Sequence, residues 1–77
     1  STIREDLDYL KNNNPKMIVF NDHTIYAVYA HQELYGDKSA HYDLYAWLLE
    51  CRDDPSSNYE VVSTYSGSYN TYLLVLK

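Results

Sequence analysis

The chain is short of several things at once. It has two glycines, two prolines and one cysteine in 77 residues. With Gly36 and Gly67 as its glycines it has no Gly-rich loop to cradle a phosphate, which argues against a nucleotide enzyme. Cys51 alone cannot form an intramolecular disulfide, and a small secreted domain generally needs such staples. No charged-then-apolar segment opens the chain, and its apolar runs are far too short to span a bilayer. The expectation is therefore an intracellular, cytoplasmic protein without membrane association.

Basic residues are scarce as well. Six Lys and Arg face eleven Asp and Glu, for a formal charge of −5. Arg4, Lys11, Lys16, Lys38, Arg52 and Lys77 are scattered, whereas a nucleic-acid binder concentrates its cations to displace counterions from phosphate. Direct nucleic-acid binding is disfavoured. A basic protein partner is the electrostatic complement.

Metal and nucleophile chemistry is equally thin. His23, His31 and His41 do not recur at ligand spacing, and Cys51 has no companion thiol, so neither a metal site nor a cofactor is expected. A Cys51 nucleophile with His41 or His23 as base is conceivable, but Cys51 falls on an apolar helix face, where a thiol is usually inert. Asp22-His23 as an acid–base pair rests on one dipeptide. The chain reads as non-enzymatic.

What is abundant is tyrosine: ten, beside one Phe and one Trp. Tyrosine combines apolar area with a polar tip and suits both strand edges and protein interfaces.

A single domain over 1–77 accounts for the pattern. Thr2 and Glu5 fit a capping box, and Ile3, Leu7 and Leu10 give one apolar face, so a short helix opens the chain and ends at the asparagines before Pro15. Met17-Ile18-Val19-Phe20 suits a strand. Asn21-Asp22 reads as a turn into a second strand, Thr24–Tyr29, although a helix from about Asp22 to Tyr35 fits the same residues. A helix follows from about Ser39, its N-cap, to about Arg52, with Ala40, Leu44, Trp47, Leu48 and Cys51 as its core stripe. Tyr59 to Tyr65 and Tyr69 to Lys77 make a hairpin around Ser66-Gly67-Ser68. The expected fold is α+β, order αββαββ, with a four-stranded antiparallel sheet and two helices on one face. The other face of such a sheet can stay open to solvent or a partner.

One surface feature stands out. At roughly 100° per residue, Tyr42, Tyr45 and Leu49 fall nearly opposite the core stripe, flanked by Asp43, Glu50, Asp53 and Asp54. These seven form the candidate partner-binding site, with aromatic anchors and an acidic rim. The competing reading is that the chain's own segments cover this side, and a third is that it closes a homodimer. Rows such as Glu5/Asp6/Asp8 and Asp43/Glu50/Asp53/Asp54 also suggest imitation of phosphate spacing.

In size, acidity and its Tyr42/Tyr45 stripe the chain resembles small phage-encoded anti-CRISPR and anti-restriction proteins. That resemblance implies a non-catalytic inhibitor that docks on a nuclease or its nucleic-acid-binding complex, inside a bacterial host cell. Small immunity proteins and antitoxins look similar in the same respects.

Overall fold

The computed structural model of the chain describes residues 2–23, 30, 34 and 40–77. Helix α1 spans Ile3–Asn13, strand β1 Met17–Asn21, helix α2 Ala40–Asp53, strand β2 Tyr59–Tyr65 and strand β3 Thr71–Leu76.

Local chemistry sets the first helix. Thr2 Oγ1 accepts the Glu5 N–H at 3.1 Å and its hydroxyl donates to the Glu5 carboxylate at 3.1 Å. This satisfies a helix donor that would otherwise be orphaned, while Glu5 and Asp6 sit at the positive end of the helix dipole. Asn14 closes the helix in the left-handed region, at φ 45°, with its N–H on the Leu10 carbonyl. Asparagine tolerates that conformation better than most residues.

The described strands form one antiparallel sheet in the order β1-β3-β2. Three strands are present among the described residues where four were expected. The expected second strand, Thr24–Tyr29, and the Ser39 N-cap lie outside the described residues. Part of that expectation can be corrected directly. Asn21 ends β1, and Asp22 and His23 already have helical backbone rather than forming a turn, as do Ala30 and Leu34. Short apolar runs carry no unambiguous period, which is why strand and helix competed here.

Strand β3 is central in the described sheet, and its run Tyr72-Leu73-Leu74-Val75-Leu76 makes it apolar on both faces. Its even-numbered residues meet the core. Leu74 is fully buried and joins Phe20 of β1, Tyr59 of β2, and Leu48 and Cys51 of α2, with Ile18, Leu44, Trp47, Tyr72 and Leu76 packed around them. Helix α1 packs on α2 and buries Leu7, the middle residue of its expected apolar face.

Polar contacts tie the ends together. The Tyr59 hydroxyl donates to the Pro15 carbonyl at 2.6 Å, and its ring meets Trp47 edge-on with centroids 6.3 Å apart. Arg52 lies over the Tyr72 ring, 4.8 Å from its centroid, and Tyr72 donates to Asp22 at 3.0 Å.

Candidate functional site

The stripe on α2 is placed between two neighbours. Tyr42, Tyr45 and Leu49 are all half-buried, and Tyr45 and Leu49 pack against the hydrophobic core. Tyr45 also lines an apolar groove of about 440 Å³ with Leu10, Ile18, Phe20, Leu44 and Leu48. Tyr42 is engaged within the chain. The physical reason is that α2 has α1 against it as well as the sheet, so apolar residues are needed on more than one of its sides.

The acidic rim is partly neutralised from within. Arg4 donates to Asp43 at 2.7 Å, tying α1 to α2. Arg52 makes two hydrogen bonds to Asp53, at 2.7 and 2.9 Å, and these hold the Asp53 carboxyl below the usual range. Asp54 accepts both the backbone N–H and the hydroxyl of Ser56 at 2.8 Å, which lowers its carboxyl too. Glu50 is exposed and sits in a depression with Lys11, Trp47 and Cys51. Asp53 and Asp54 share a different one with Glu60, Val61 and Lys77. The seven residues are thus distributed over separate regions of the surface.

Among the described residues, the groups considered for chemistry are buried or in contact with other side chains of the chain. Cys51 is 4% exposed, and burial, then the nearby Glu50 charge, pushes its thiol up to about 11. Asp22 accepts from Tyr72 and from Arg52, at 3.0 and 3.5 Å. The His23 ring stands edge-on to Tyr69, with centroids 5.0 Å apart. His41 is engaged within the chain, and His31 lies outside the described residues. Among the described residues no three His, Cys, Asp or Glu cluster as metal ligands, and no helix is long and apolar enough to cross a membrane.

Sequence reasoning allowed for an open outer face of the sheet but named no residues on it. Pairing aligns Met17, Val75 and Glu60 in one row, Val19, Leu73 and Ser63 in the next, and Asn21, Thr71 and Tyr65 in a third. These side chains alternate with the core-facing set and so point away from it. Met17 is 61% exposed, Val19 64% and Tyr65 73%, with Leu73 and Val75 half-buried between them. The signal was available: neither Met17-Ile18-Val19-Phe20 nor Leu73-Leu74-Val75-Leu76 alternates apolar with polar, as a strand with one wet face normally does. Two apolar faces were written into these strands. The core covers one.

Compared with known proteins, the chain matches no family model, no curated protein sequence and no solved structure.

Proposed function

We propose that this chain is a non-catalytic protein-binding inhibitor that docks on a basic protein of the kind that handles nucleic acid. The observation that carries this reading is the outer sheet face, where Met17 and Val19 are exposed beside Leu73, Val75 and Tyr65. Contiguous exposed apolar surface on a small domain marks an interaction site. An apolar centre edged by Glu60, Ser63 and Tyr65 has the composition of a protein interface, with an aromatic contact and a polar rim.

Charge supports the choice of partner. The formal charge is −5, and Asp6, Asp8, Glu50 and Glu60 have no ion pair among the described residues, while Arg4 and Arg52 are held by acids. Such a surface steers toward a positive partner and away from phosphate. In this reading Glu50 and Asp54 contribute charge. Tyr42, Tyr45 and Leu49 contribute through the smaller part of their surface that the fold leaves accessible.

The test is capture by the immobilised chain from bacterial lysate at low salt, beside a Val19→Glu/Leu73→Glu variant shown to be folded. A basic protein should be retained by the wild type, released as salt rises from about 50 to 500 mM, and lost with the variant. Equal retention by the variant, or no salt-sensitive basic protein at all, refutes the proposal.

A further inference from the structure

Among the described strands β2 is an edge of the sheet, and its ladder fixes which backbone groups face outward. The Lys77 N–H bonds the Asn58 carbonyl, and the Leu76 N–H bonds the Lys16 carbonyl on the opposite side of β3. Odd-numbered β3 residues therefore bond β2, and the β2 residues opposite even-numbered ones turn their N–H and C=O away. By the observed register those are Tyr59, Val61 and Thr64. At Tyr59 the edge is closed, because Ser57 Oγ accepts its N–H at 3.3 Å and donates to its carbonyl at 3.0 Å. The outward groups of Val61 and Thr64 meet no partner among the described residues, and every residue from Glu60 to Tyr65 is exposed.

The strand carries a bulge but none of the side chains that usually block an edge. Tyr-Glu-Val-Val-Ser-Thr-Tyr contains neither lysine nor proline and is dominated by β-branched and aromatic residues. Its irregularity is one extra residue, Val62, between Val61 and Ser63. An ordinary strand laid along β2 would meet a mismatch there, because the outward groups are three residues apart instead of two. A second copy carries the same extra residue.

We propose that β2 pairs antiparallel with β2 of a second copy across a two-fold axis, Val61 of each opposite Thr64 of the other. In this register both outward residues of both copies find partners, and Val62 lies opposite Ser63. Val61 and Thr64 both lie on the core-side face, as their β3 partners Leu74 and Tyr72 do, so the two copies share their faces. The strand's one charge, Glu60, falls opposite the Tyr65 hydroxyl of the second copy. The two Glu60 carboxylates stay about 13 Å apart along the strands, four ladder steps because Val62 is extra, beyond the ~8 Å screening length at physiological salt. The product is a six-stranded sheet whose outer faces run on from one copy to the next. This self-pairing does not depend on the identity of any other partner.

The test is sedimentation equilibrium of the purified chain over rising concentration, with Val62→Lys and Thr64→Pro measured beside it. Thr64→Pro removes an N–H that has no ladder partner, and lysine is a natural edge blocker. The wild type should move from 9.0 kDa toward twice that mass, and both variants should stay at the monomer mass with unchanged far-ultraviolet circular dichroism. A wild type that remains monomeric near 1 mM (about the upper end of practical concentrations) overturns the proposal. So does a dimer that survives in both folded variants. If the variants unfold, amide exchange in the wild type decides: the Val61 and Thr64 N–H groups should slow as concentration rises, and concentration-independent exchange there overturns the pairing.

Discussion

Truncating Leu74 to alanine tests whether the sheet has one structural face and one free face. Leu74 has 0% exposure and sits among Phe20, Leu48, Cys51 and Tyr59. A buried Leu→Ala change costs about 2–5 kcal/mol, because the lost transfer energy is joined by that of the cavity left behind. The neighbours come from two edge strands and a helix that would have to shift together, so about 3 kcal/mol is expected. A 77-residue domain has a total stability of about 4–12 kcal/mol, so this one change removes a large part of it. Urea denaturation should show the midpoint falling by about 2–3 M, and the melting temperature by more than about 10 °C. Leu73, one residue away on the outer face and half-buried, is the internal control, and Leu73→Ala should cost about 1 kcal/mol or less. If Leu73→Ala costs as much as Leu74→Ala, the outer face is structural. The docking surface would then be lost as well.

Three further outcomes are expected. Tyr59→Phe leaves the Pro15 carbonyl without its donor and should cost about 1–2 kcal/mol in chemical denaturation, with the fold retained. Tyr45→Ala should lower stability by about 1–3 kcal/mol, because the ring packs on the core; an unchanged melting temperature would return Tyr45 to the free surface. The Cys51 thiol, raised to about 11 in the folded protein, should react with a disulfide reagent at pH 8 only as fast as the chain opens. The unfolded thiol titrates near 8.5, so the unfolded chain loses its proton first. The stability Cys51 contributes is therefore intact below about pH 8.5 and lost as pH climbs toward 11, and Cys51→Ala should flatten that decline. Burial raises the Tyr59 hydroxyl in the same direction, so a residual alkaline loss should survive in that variant.

The sequence by itself determined whatever depends on neighbours along the chain. Thr2 and Glu5 cap α1 because three residues of separation bring a hydroxyl to an orphan amide. Leu44, Trp47, Leu48 and Cys51 share the core side of α2 because helical spacing alone puts them there. The hairpin of Tyr59–Tyr65 and Thr71–Leu76 followed from β-branched and aromatic runs around Ser66-Gly67-Ser68.

Only the tertiary structure decided which apolar surfaces were used. Tyr45 and Leu49 lie nearly opposite the core stripe on a wheel, yet they pack on the core, because α2 has neighbours on more than one side. Asp43 and Asp53 read as free charges until Arg4, from the first helix, and Arg52 beside Asp53 were placed against them. The order β1-β3-β2, which makes the last strand central and leaves β2 at an edge, depends on pairing between segments some fifty residues apart, such as Ile18 with Leu74. Burial is a property of the assembled layers, and a periodicity can say which residues share a face but not what comes to lie against it.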